Sequence, residues 1–137
     1  MSIFIDPDQT FEITVRFVLK GSINDTSSAI KILRGEEEDE NQIELTCDVS
    51  GRDFDTMSKI LEEATIINSV TGAPMVRTSI FCKLVILNFF RAWNLNDSET
   101  NKQVPISQET VGKMRYELVR ELTSKWLDLT SAKWSTI

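Results

Sequence analysis

The sequence predicts a single α+β domain, with a small antiparallel sheet from its N-terminal third packed against about three helices. Three observations carry this. The stretch EITVRFVL (12–19) alternates apolar and polar residues, the period of a half-buried strand. Residues 77–93 are apolar nearly all round and too long for a typical strand. From Val111 onward apolar residues recur every three or four positions, as on one face of a helix.

Composition sets the frame. The chain has 137 residues, 41% hydrophobic and 26% charged, which fits one ordered domain and not a disordered one. The net charge is −6 and the 15 basic residues form no block. Phosphate contacts need clustered Lys and Arg, so nucleic acid and anionic membrane are disfavoured as partners. MSIFIDPDQT lacks the basic start of a signal peptide. The run IFCKLVILNFF (80–90) is too short to span a bilayer. Nothing repeats internally.

Along the chain, residues 1–9 form an N-terminal arm and 10–50 a strand-rich part. Phe11, Ile13, Val15 and Phe17 share one face of the first strand, with Glu12, Thr14 and Arg16 on the other. Residues 29–33 fit either a strand or a short helix. The strand reading is preferred, paired with 43–49 across an exposed acidic tip, because Ile43, Leu45, Cys47 and Val49 alternate. The helical part spans 51–129. Ser50-Gly51-Arg52-Asp53 has capping-box spacing, and Phe54, Met57, Ile60, Leu61 and Ala64 make an apolar stripe behind it. Gly72-Ala73-Pro74 marks a break. Residues 77–93 are then read as the innermost helix. Ser107 caps one last helix, with Ile106 and Val111 at hydrophobic-staple spacing. Its apolar face holds Val111, Met114, Leu118, Leu122, Trp126 and Leu129. Its outer face holds Lys113, Glu117, Glu121 and Lys125, with Glu121 oriented to pair Lys125. Residues 130–137 form a C-terminal tail.

Much chemistry is excluded. There is no histidine, which removes Ser-His-Asp and Cys-His nucleophile systems and His-ligated zinc. The five glycines are not grouped as a phosphate cradle needs. The acidic run 36–40 lacks the alternating ligands and central glycine of a calcium loop and reads as a solvated turn. Cys47 and Cys82 read as free and buried, with a disulfide between them left open. No catalytic residue, cofactor, metal or small-molecule substrate is expected.

Trp93 and Trp126 fall on apolar faces and read as core. Ile3, Phe4 and Ile5 at one end, and Trp134 and Ile137 at the other, are apolar without an obvious place in the core. They dock either on their own chain or on a partner, and they are the candidate partner-binding residues.

One stretch carries a resemblance. An apolar run ending in Ala92-Trp93-Asn94-Leu95-Asn96-Asp97, a polar turn, and then Val104-Pro105-Ile106-Ser107 before a helix is similar to a pattern in small proteins of tailed bacteriophages. There an aliphatic helix runs into W-[ND]-L-[TN]-D, then a turn and a hydrophobic-Pro-hydrophobic-Ser/Thr lead-in to the last helix. The resemblance covers residues 77–128. The turn here, 98–102, has no glycine where the pattern usually has one. Such proteins are described as tail assembly or minor virion proteins. The resemblance implies non-enzymatic work through contacts with other phage proteins or copies of itself, with synthesis in the host cytoplasm and a place in the virion. A transient tail assembly chaperone is the nearest alternative. A small acidic regulatory protein binding a basic host surface through 36–40 is another. Within the connector, Trp93 is expected to close the buried helix, Asn94 and Asp97 to hold the turn, Pro105 to stiffen the lead-in and Ser107 to cap the last helix.

Overall fold

A computed structural model describes residues 4–6, 8–20, 29–97 and 99–131 of the chain. Strands β1 (Thr10–Lys20), β2 (Ala29–Leu33) and β3 (Ile43–Ser50) come first. Helix α1 (Phe54–Ala64) leads into a short hairpin of β4 (Thr65–Ile67) and β5 (Pro74–Val76). Helix α2 (Thr78–Phe89) runs directly into β6 (Phe90–Trp93), and α3 (Gln108–Lys113) and α4 (Tyr116–Ser131) complete the chain. The fold is the expected small α+β domain, with a four-stranded sheet in the order β2-β1-β3-β6 and every pairing antiparallel.

The alternation in β1 and β3 does what its period dictates. Ile13, Val15 and Phe17 pair in register with Cys47, Leu45 and Ile43. All but Ile43 of these are buried on the core face. On the other face the Thr14 and Thr46 hydroxyls meet at 3.1 Å. That face is mixed, since Val18 and Leu33 on it are also buried. The segment 29–33 is a strand, as preferred, but it pairs with β1 and not with β3 (Phe17 opposite Ile32). The acidic link 34–42 therefore crosses over β1 at Arg16 and Phe17, inside the strand. Arg16 fastens it there, donating to the carbonyls of Gly35 at 2.7 Å and Glu37 at 2.6 Å.

Helices α2 and α4 cover the core face. Cys82, Val85, Ile86 and Phe89 of α2 and Leu118, Val119, Leu122 and Trp126 of α4 join one buried cluster with the strands. Trp126 is its hub. It stacks on Phe89 at 4.6 Å between ring centroids and donates its indole N–H to Ser50 O at 2.9 Å. The two thiols are free and buried. Burial pushes the Cys47 thiol up to about 12, and the Asp48 carboxylate beside it adds to the effect, so it is not a nucleophile at neutral pH.

Four expectations need correction. The run 77–93 is not one helix: the chain turns extended at Phe90 (φ −88°, ψ 122°) and its last four residues form the edge strand β6. A run apolar on all sides carries no period, so helix and buried strand look alike there. The single C-terminal helix is two, because Met114 is extended (ψ 154°) after Gly112, the one helix-weakening residue in that stretch. The cap of α1 is Asp53, not Ser50, which lies at the end of β3. Burial is the largest influence on Asp53 and raises its carboxyl pKa, yet the Thr56 backbone and hydroxyl donors, its own N–H and the Arg91 charge together hold it below the usual value. Glu121 is buried and does not serve as a solvent-facing partner for Lys125. It receives both guanidinium nitrogens of Arg34 at 2.8 Å, tying the end of β2 to α4.

Candidate interaction surface

Many of the large apolar side chains outside the core lie on α1 and on the hairpin that follows it. On α1 the predicted stripe is only half buried: Ile60 and Ala64 face inward, while Phe54 is 84% exposed and Leu61 is also exposed. Phe54 and Leu61 are seven residues apart, two turns along the same side of the helix. That helix runs straight into the β4–β5 hairpin, where Ile66, Ile67, Met75 and Val76 are exposed and Val70 at the tip is 91% exposed. Residues 65–76, TIINSVTGAPMV, contain no charged residue in a chain that is 26% charged. Five of these seven side chains sit on one short hairpin, and clustered exposed apolar side chains of this kind are often functional.

The hairpin's backbone is defined by its register. Thr65 faces Val76, Ile66 faces Met75 and Ile67 faces Pro74. The bonds Asn68 N–H to Ala73 O (2.9 Å) and Arg77 N–H to Ala64 O (2.8 Å) put the even positions 64, 66 and 68 in the hydrogen-bonded pairs. Ile67 of β4, and Pro74 and Val76 of β5, thus turn their backbone groups outward, while the Thr65 N–H is taken by Leu61 O at the end of α1. Pro74 has no N–H to offer. Sequence reading missed this surface because it placed Phe54 and Leu61 on the inner stripe and left 65–71 unassigned. The signal that was present is the β-branched run Thr65-Ile66-Ile67 ahead of a charge-free turn.

The described residues of the predicted connector are tied to the sheet and to one another. Trp93 is buried on β6, not at a helix end, and donates its indole N–H to Val104 O at 2.7 Å. The Gln103 side-chain amide donates to Trp93 O. Asn94 acts across the sheet instead of within the turn: its Oδ1 accepts from Thr46 N–H at 2.9 Å and its Nδ2 donates to Glu44 O at 3.2 Å. Asp97 does hold the turn, with Oδ1 accepting from the N–H groups of Glu99 (2.7 Å) and Thr100 (3.2 Å). Within the turn Asn101 takes the left-handed conformation at φ 53°, one that glycine adopts most readily. Pro105 is exposed beside a shallow depression formed with Leu87, Phe90 and Arg91. Ser107 caps α3, its Oγ accepting from Thr110 N–H at 3.2 Å.

Of the terminal residues, Phe4 is 79% exposed. Ile5 leans on its own chain: a Cβ added at Gly51 would come 3.2 Å from Ile5 Cδ1. Ile3, Trp134 and Ile137 lie outside the described residues. In the acidic link, Glu37 pairs with Lys31 at 3.2 Å, and its side chain accepts the Arg34 backbone N–H at 3.2 Å. That N–H, and after it Lys31, holds its carboxyl below the usual range. Among the described residues no group of three or more potential metal ligands occurs, and no helix is long and apolar enough to cross a membrane. The chain has no significant match among protein-family models, curated proteins or solved structures.

Proposed function

We propose that this chain is a non-enzymatic structural or tail-assembly protein of a tailed bacteriophage, working through contacts with other phage proteins or with copies of itself in or on the virion. The observation that carries the contact part of this reading is the apolar shelf of α1 and the β4–β5 hairpin, with Phe54, Ile67 and Val70 projecting into solvent. Such a patch lowers solubility unless something covers it. The phage assignment rests on the resemblance of 77–128, whose connector serves as a folding device and leaves recognition to other surfaces.

Quantitative mass spectrometry of particles purified from the source that encodes the chain tests the proposal. Presence in fixed proportion to the major tail proteins supports a structural component. Presence only in complexes captured from the lysate with tail proteins supports a transient assembly chaperone. Absence from both overturns the phage reading.

A further inference from the structure

We propose that Asn68, at the base of the β4–β5 turn, is a deamidation site that converts to a carboxylate while the protein stays folded. The backbone nitrogen of Ser69 forms a bond to Asn68 Cγ and the Cγ–Nδ2 bond breaks. The side-chain nitrogen leaves as ammonia, with the proton that Ser69 N gives up. Water then opens the resulting cyclic imide. Opening at the side-chain carbonyl gives aspartate, and opening at the main-chain carbonyl gives isoaspartate. This goes beyond the proposed function and does not rest on it.

Three features of the site favour the attack. The electrophile is held and polarised: Asn68 Oδ1 accepts the Val70 N–H at 2.8 Å and the Thr71 N–H at 3.2 Å. These donors stand where negative charge develops as the amide carbon becomes tetrahedral, the arrangement of an oxyanion hole. The nucleophile and the leaving group are unencumbered: among the described residues, neither Ser69 N–H nor Asn68 Nδ2 has a hydrogen-bonded partner. The approach is open: Ser69 is exposed, and its side chain is the smallest that follows any asparagine in the chain. A branched neighbour would crowd the nitrogen.

The other described asparagines each lack one of these features. The Nδ2 groups of Asn88 and Asn94 are held by Leu84 O at 2.7 Å and Glu44 O at 3.2 Å. The nitrogens that would attack Asn41, Asn96 and Asn101 already donate elsewhere: Gln42 N–H to Asp39 O at 3.0 Å, Asp97 N–H to Lys102 O at 2.8 Å and Lys102 N–H to Thr100 Oγ1 at 3.4 Å. The product also fits the turn. In the connector, the Asp97 carboxylate accepts N–H groups two and three residues on, at 2.7 and 3.2 Å. A carboxylate at position 68 keeps the same two bonds, and it puts a negative charge on residues 65–76, which have none.

Incubation of the purified chain at mildly alkaline pH tests this, followed by peptide mapping with mass spectrometry that separates aspartate from isoaspartate. Conversion at Asn68 is expected to outpace conversion at Asn94 by at least about tenfold, because polarising donors and a free leaving group coincide only at Asn68. In urea that ratio is expected to fall at least about threefold, since the donors are lost with the fold. Ser69→Val is expected to slow conversion at Asn68 at least about tenfold by crowding the attacking nitrogen. Circular dichroism melts check that this variant stays folded. In the same melts Asn68→Asp is expected to unfold together with the native chain. Equal conversion at Asn68 and Asn94 overturns the proposal. So does a ratio that urea leaves unchanged, which assigns the preference to the Asn-Ser pair alone, or a rate that Ser69→Val does not alter. A clearly lower melting point for Asn68→Asp overturns the retained turn. These readouts are chemical and stand whether or not the chain is found in particles.

Discussion

The turns 68–73 and 97–102 share a skeleton and differ in their surroundings. Their sequences, Asn-Ser-Val-Thr-Gly-Ala and Asp-Ser-Glu-Thr-Asn-Lys, share one pattern. In each, the first side chain accepts backbone N–H groups two and three residues on (Val70 and Thr71 from Asn68; Glu99 and Thr100 from Asp97). In each, a threonine hydroxyl accepts the N–H two residues later, at Ala73 and at Lys102. In each, the fifth residue is left-handed, Gly72 at φ 71° and Asn101 at φ 53°. In each, the first N–H closes on the carbonyl of the sixth residue, at 2.9 and 2.8 Å. The connector turn is then locked against the sheet by Trp93, Asn94 and Gln103, and its exposed side chains are polar. The hairpin turn has no comparable ties among the described residues and carries apolar ones. The same local device therefore serves two ends: in one place it finishes the core, in the other it displays a surface.

Substitutions can break this contrast. The largest expected effect is at Trp93, 3% exposed. Trp93→Ala removes a buried aromatic and the indole bond to Val104, and is expected to cost about 3–5 kcal/mol by urea denaturation. Next come the left-handed positions. Asn101→Val and Gly72→Val are each expected to cost about 1–2 kcal/mol, because a β-branched side chain is strained there. An effect at Asn101 alone would show that the hairpin turn is not held as described. Asn94→Ala, which frees Thr46 N–H and Glu44 O at the end of the β3–β6 pairing, is expected to cost about 1 kcal/mol in the same measurement. The smallest effect sharpens the comparison most. Val70→Glu with Gly72→Asn copies the connector's residues into the hairpin turn. It is expected to leave stability within about 0.5 kcal/mol while reducing any self-association seen by sedimentation.

The α+β class was legible because alternation in β1 and β3 and the three-to-four step in α4 are strong periodic signals. The caps at Ser107 and the turn role of Asp97 were legible because short polar side chains act on backbone within a few residues. Other features depend on distant partners. Asn94 looks like a turn residue until β3 is placed beside it, and Glu121 looks solvated until Arg34, 87 positions earlier, reaches it. The helix-to-strand change at Phe90 has no glycine or proline to announce it. The repeated turn was hidden because only the backbone shows that Gly72 and Asn101 do the same task. The apolar shelf was missed because a helical stripe records which residues align, not which of them a sheet will cover.

Helix α2 passes into β6 with no linker between Phe89 and Phe90, and this bears on how the chain tolerates changes of length. One residue added at that junction would advance the strand by one position, sending Ala92 into the place of Trp93 and every later side chain to the opposite side. The same addition at Val70 or Glu99 would only enlarge a surface loop. Natural variants of this protein should accordingly differ in length at the two turn tips and keep the spacing from Cys82 to Asn94 fixed.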